Sequence, residues 1–150
     1  MDPTREFPRR PPRLAPEAYR WGAVHVIVCC APGLQPFRQR ELAASVFEPW
    51  ASHPTTLAAC LMPDHLHWLV GPTSQLQAEV ARLKSWTTRV AWRGGWRGRL
   101  WQRSFMDRVT RRRDDPRVIA DYVIGNPVRA GLVAVAEEYP FQILYPERFR

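Results

Sequence analysis

The order of periodic segments predicts an α+β fold. It is a ferredoxin-like or RRM-like α/β sandwich, with an antiparallel sheet and helices mainly on one face. Three observations carry this. Four short apolar or β-branched runs, near 22–30, 55–62, 65–70 and 101–111, read as strands. Segments 37–51, 75–92 and the stretch after Pro116 carry apolar residues at helical spacing. The resulting order is strand, helix, strand, strand, helix, strand, helix, and no repeat breaks it.

Each element has its own signal. The first strand is closed by Pro32 and Gly33. The first helix follows with Phe37, Leu42, Val46, Phe47 and Trp50 on one stripe. Thr55 to Met62 and His65 to Val70 flank Pro63-Asp64, which predicts a hairpin with its turn there. Ser74 is placed to cap a second helix whose buried stripe is Leu76, Val80, Leu83, Thr87 and Val90, and Gly94-Gly95 ends it. Asp115-Pro116 is an N-cap and first-turn pair for a third helix, which Pro127 should end or kink near Asn126. Gly131 suits the left-handed position beyond a helix end.

The domain is expected over 19–150, behind a basic, Pro-rich tail over 1–18 that should be extended or disordered. An apolar content of 45% in 150 residues supports one core. The net charge of +8, from 22 Lys+Arg against 14 Asp+Glu, points to a polyanion, most simply nucleic acid. Lys84 is the only lysine; arginine forks suit phosphate oxygens and base faces. The three cysteines, Cys29, Cys30 and Cys60, form no disulfide or zinc pattern and fit buried thiols in a reducing, cytoplasmic setting. No apolar run approaches membrane-spanning length.

The chemistry concentrates in two places. On a strand, His65 and His67 project from one face while Leu66, Trp68 and Val70 project from the other. The pair reads as half of a metal site; its bland alternative is a structural His-x-His. On the third helix, Tyr122 and Asn126 are four apart and share a face. If that face meets the histidines, two imidazoles and an amide oxygen leave open positions suited to Mg²⁺ or Mn²⁺ with a phosphate as further ligand. Tyr122 could then attack phosphorus and form a phosphotyrosine. Taken alone, Tyr122 reads as a packed amphipathic residue and Asn126 as a helix-terminus residue. His25, in the first strand, reads as structural or near the site.

Nucleic-acid contacts have their own candidates. Trp92, Trp96 and Trp101 alternate with Arg93, Arg97 and Arg99, combining stacking faces with phosphate-seeking charge. Arg103, Arg108, Arg111, Arg112 and Arg113 add a second basic stripe, and Lys84 lies off the second helix's stripe. The plain alternative is core tryptophans with solvated arginines.

The run Met62-Pro63-Asp64-His65-Leu66-His67 resembles the motif of HUH nucleases. The run from Ile119 through Tyr122 and Asn126-Pro127-Val128-Arg129-Ala130-Gly131 resembles the tyrosine helix of REP-associated tyrosine transposases, and Leu100 to Arg111 the strand before it. The likeness spans about residues 20 to 142, with its motifs in the family's order. It implies His65 and His67 as metal ligands, Asn126 as the third, and Tyr122 as the nucleophile that takes a 5′-phosphate. It implies a metal-dependent endonuclease and strand transferase acting on single-stranded DNA beside REP-like hairpins, with a monomer favoured over a helix-swapped dimer. Asp64 departs from the Asn usual in the family. Two rival functions are a domesticated, non-cleaving hairpin-binding protein and a hydrolase of small phosphoesters.

Overall fold

The computed structural model describes residues 15–19, 22–110 and 114–149. The expected tail falls almost wholly outside them; Pro16–Tyr19 form a 3₁₀ turn. One five-stranded antiparallel sheet runs β4-β1-β3-β2-β5, with β1 Val24–Cys29, β2 Thr56–Leu61, β3 His65–Val70, β4 Met106–Val109 and β5 Gln142–Leu144. The first four strands stand in the ferredoxin-like order. β5 extends the sheet beside β2 and was not foreseen, since three residues carry almost no period.

Alternation sorts the two faces. Val24, Val26, Val28, Leu66, Trp68 and Val70 face α1 (Arg40–Ala51) and α2 (Leu76–Arg93), forming the main core. Trp50 packs edge-on against Trp68 at 5.1 Å and against Trp101 at 6.0 Å between ring centroids. Two indole N–H groups are satisfied within it: Trp68 donates to Thr56 Oγ1 (2.8 Å) and Trp101 to Thr87 Oγ1 (2.9 Å). The opposite face carries a smaller cluster of Ala58, Cys60, Leu69, Ala120 and Val123 beneath α3 (Pro116–Ile124). The C-terminal segment seals this side: the Tyr139 hydroxyl donates to the Leu61 carbonyl, and Arg148 to the carbonyls of His53 and Thr56.

Several boundaries differ from expectation. The strand near 101–111 shrinks to Met106–Val109; the chain before it is irregular, tied to β1 by the Cys30–Trp101 bridge and by Gln102 N–H donating to the Cys29 carbonyl (2.9 Å). Ser74 does not cap α2, whose N-cap position is Gln75; Thr73 Oγ1 accepts the Gln75 N–H instead. Ala91 is buried where Val90 was expected. Asp115 does cap α3, accepting the Arg117 N–H (2.9 Å). The break expected near Asn126 is present, since α3 stops at Ile124. Gly125 separates α3 from a single further turn, α4 (Asn126–Arg129), in which Pro127 sits at the start, where its missing N–H costs nothing. Gly131 follows at φ 74°.

Candidate active site

β3 turns His65 and His67 onto the α3 face, as the two-residue period requires. His67 is fully buried, while the His65 side chain keeps 19% of its surface exposed. Their Nε2 atoms are 3.0 Å apart. His25 joins them from β1. Ile27 stands directly opposite His67, so His25 is its diagonal neighbour, and the sheet brings His25 Nε2 within 2.9 Å of His67 Nδ1. Asp64 Oδ1 lies 2.6 Å from His65 Nδ1. The result is one row: Asp64, His65, His67, His25.

Burial sets the charge state of His25 and His67. Desolvation, reinforced by the Arg108 charge, pulls His25 down to about 4. Burial likewise holds His67 well below the usual imidazole range, and the charges of His65, His25 and Arg129 add to this. The hydrogen bond with His65 keeps Asp64 below its ordinary value, although burial opposes it. Neutral imidazoles beside an ionised carboxylate are the form that binds cations.

α3 places Tyr122 above the row. Its ring centroid is 6.3 Å from that of His25 and 6.4 Å from that of His67, both nearly perpendicular, and the residue is 44% exposed. Arg129 folds back from α4 and lays its guanidinium 4.0 Å from the Tyr122 ring centroid. Its Nη2 donates to Asn126 Oδ1 (2.8 Å) and to the Tyr122 carbonyl. Gly125 makes room for this: a Cβ there would lie 2.7 Å from an Arg129 guanidinium nitrogen. Asn126 is buried, with its amide donating to the Val123 carbonyl (3.2 Å).

The donor set fits a divalent ion in part. Two ligands at ~2.1 Å and at right angles on an octahedral Mg²⁺ stand ~3.0 Å apart, which is the spacing of the His65 and His67 Nε2 atoms. His25 is not a third ligand to that point, because it addresses the other nitrogen of His67. Among the described residues no three His, Cys, Asp or Glu side chains form a metal-holding group. The described residues offer a third protein ligand of another type in Asn126, whose oxygen accepts from Arg129.

The expected nucleic-acid residues divide among several places. Lys84, Arg99 and Arg103 line a groove of about 660 Å³ with Trp92 and Gln102, and the Lys84 ammonium donates to the Gln102 carbonyl. The groove lies on the α2 side, at the sheet end where Gln102 bonds Cys29 and Cys29 stands opposite His65. Trp96 packs on the main core, and its indole donates to the Arg99 carbonyl; Trp92, half exposed, is the open aromatic of this loop. Arg93 and Arg97 are exposed outside the groove lining. Arg108 stands opposite His25 in the β1–β4 pairing and so belongs to the histidine face. Arg112 lies outside the described residues. Arg129 had no assigned role in the sequence, and His25, read as structural or near the site, proves to be part of the row. For His25 the signal was available: the alternation of β1 puts it on the face opposite Val24, Val26 and Val28.

No family model matches the sequence, and no curated protein matches it. A solved structure described as a REP-associated tyrosine transposase bound to a REP hairpin is similar to this chain with a TM-score of 0.64. That likeness covers 87% of this chain and 86% of the other, at 21% identity. At that identity it establishes a shared α+β fold. Among the described residues, no helix is long and apolar enough to cross a membrane.

Proposed function

We propose that the protein is a metal-dependent, single-tyrosine DNA endonuclease and strand transferase acting at hairpin-forming single-stranded DNA. One observation carries the reading: the half-exposed Tyr122 stands over an imidazole row, buried at His67, in which the Nε2 atoms of His65 and His67 are 3.0 Å apart, close enough to share one divalent cation. The fold likeness to a transposase bound to a REP hairpin supports the same partner class. The basic groove at the same sheet end as His65 gives a phosphate backbone a path toward the row.

His65 and His67 would hold Mg²⁺ or Mn²⁺, with Asn126 as third protein ligand once its oxygen is released by Arg129. A bound ion would supply Lewis-acid polarisation of the scissile phosphodiester. The Tyr122 oxygen attacks phosphorus and its proton leaves to water at the exposed ring edge. The P–O3′ bond breaks, the departing 3′ oxygen takes a proton, and the 5′-phosphate stays on Tyr122. Attack by another 3′-hydroxyl reverses these bond changes and joins the strands without ATP. Arg129, stacked on the ring and bonded to the Tyr122 carbonyl, restricts the approach of the phenol.

The test incubates the full chain with labelled REP-like hairpin oligonucleotides and Mn²⁺, followed by a denaturing gel. A protein–DNA adduct is expected, and EDTA should abolish it. Tight hairpin binding without an adduct would identify a non-cleaving hairpin binder instead. Turnover of a chromogenic phosphodiester without an adduct would identify a small-phosphoester hydrolase.

A further inference from the structure

We infer that His25 is a positioning residue for metal binding: its Nε2 is the acceptor that lets His67 present a bare Nε2 to a cation. The inference rests on the metal reading of His65 and His67 above. His67 is completely buried, and both of its ring nitrogens are committed to other imidazoles, Nε2 to His65 at 3.0 Å and Nδ1 to His25 at 2.9 Å. A neutral imidazole carries one N–H, so the row has a limited set of proton arrangements.

Take each ring with a single N–H: a His65 that directs its Nδ1–H at the Asp64 carboxylate has a bare Nε2. The proton between His65 and His67 must then sit on His67 Nε2. His67 Nδ1 is bare and accepts from His25 Nε2–H. Every contact is satisfied with one proton per ring. A cation ligated by both Nε2 atoms forbids that arrangement, because His67 Nε2 must give up its proton. The proton relocates to His67 Nδ1, and a buried N–H there needs an acceptor. His25 supplies it by carrying its own proton on Nδ1 instead of Nε2. The number of protons on the row is unchanged, and no charge is created in the buried space.

The two candidate ligands are thereby supported in parallel. Asp64 backs His65 from outside the sheet, at 2.6 Å, and His25 backs His67 from within it. Metal-bound histidines donate their second N–H to such partners, and losing one lowers affinity by about 10- to 100-fold. A carboxylate in the place of His25 would add a buried charge; an imidazole accepts the proton while staying neutral, and in the metal-free state it can donate instead.

The experiment is a calorimetric titration of the full chain with MnCl₂, comparing wild type, His25→Phe and His25→Gln. Phe keeps bulk but cannot accept a hydrogen bond, whereas Gln can place an amide oxygen near the Nε2 position. His25→Phe should weaken Mn²⁺ binding by about 10- to 100-fold, with Gln restoring it to within about threefold. If His25→Phe binds as tightly as wild type, His25 has no positioning role and the metal site stands. If the wild type binds no Mn²⁺, the metal reading fails, and this inference with it. A second measurement needs no variant: ¹⁵N imidazole spectra of the wild type with MgCl₂. His67 should pass from the Nε2–H to the Nδ1–H form on saturation, and a His67 that keeps Nε2–H in saturating Mg²⁺ overturns the inference.

Discussion

The two faces of the sheet are built from the same alternating strands but bury opposite chemistry. The α1/α2 face buries Trp50, Trp68, Trp101 and the valines of β1, and each polar group bonded within it serves packing, as Thr56 and Thr87 do for the indoles. The α3 face sets three imidazoles side by side, His67 buried and His25 and His65 partly so, beside a nine-residue helix that leaves Tyr122 open to solvent. Stability is invested in the thick face and reactivity in the thinly covered one. Substitutions on the two faces should therefore separate stability from function.

The widest separation is expected at Tyr122. Tyr122→Phe should abolish adduct formation and strand joining while leaving hairpin affinity unchanged, and stability within ~0.5 kcal/mol by urea denaturation, as for an exposed side chain. An adduct that persists in this variant removes Tyr122 from the chemistry. The converse is Trp68→Ala on the packed face. It should lose about 3–5 kcal/mol of stability in the same denaturation experiment, because a fully buried ring and its bond to Thr56 vanish together.

The histidine face should declare itself through pH. His25 and His67 are held below the usual range, so the unfolded chain binds protons that the folded chain refuses. Their contribution is fully present above pH ~6.5 and is lost as pH falls toward the folded value of His25, about 4. The unfolding free energy from urea denaturation in EDTA should fall across that window, by up to about 3 kcal/mol for His25 alone. A midpoint flat from pH 7 to ~4.5 would contradict the buried neutral row. The smallest effect is expected in the groove. Replacing Lys84, Arg99 and Arg103 with Ala should weaken hairpin binding for all sequences alike and reduce the slope of log affinity against log salt by about one per lost phosphate contact. An unchanged salt slope would move the DNA path elsewhere, with Arg108 on the histidine face as the next place to look.

What the sequence disclosed follows the range over which each signal acts. The strand and helix order, the Asp115 cap and the pairing of His65 with His67 on one face are local patterns, and the structure bears them out. That Tyr122 meets the histidine face was only a condition in the sequence, because which sheet face a helix covers is a tertiary matter; the structure places it there. The alternation of β1 puts His25 on the histidine face, but only the β1–β3 register makes it the diagonal neighbour of His67. Arg129 lies across Gly125, where a Cβ would stand 2.7 Å from its guanidinium, a close approach visible only in three dimensions. The groove depends on the irregular path of 100–105, where a regular strand was expected.

The central claim, that Tyr122 attacks DNA from above the histidine row, is tested most directly by locating the covalent bond. The adduct formed with a hairpin oligonucleotide and Mn²⁺ is digested with nuclease and trypsin, and the peptides are read by mass spectrometry. The account predicts a nucleotide remnant on Tyr122, within the tryptic peptide spanning 118–129. A remnant on any other residue, or an unmodified Tyr122 in protein that binds both the hairpin and Mn²⁺, would contradict it.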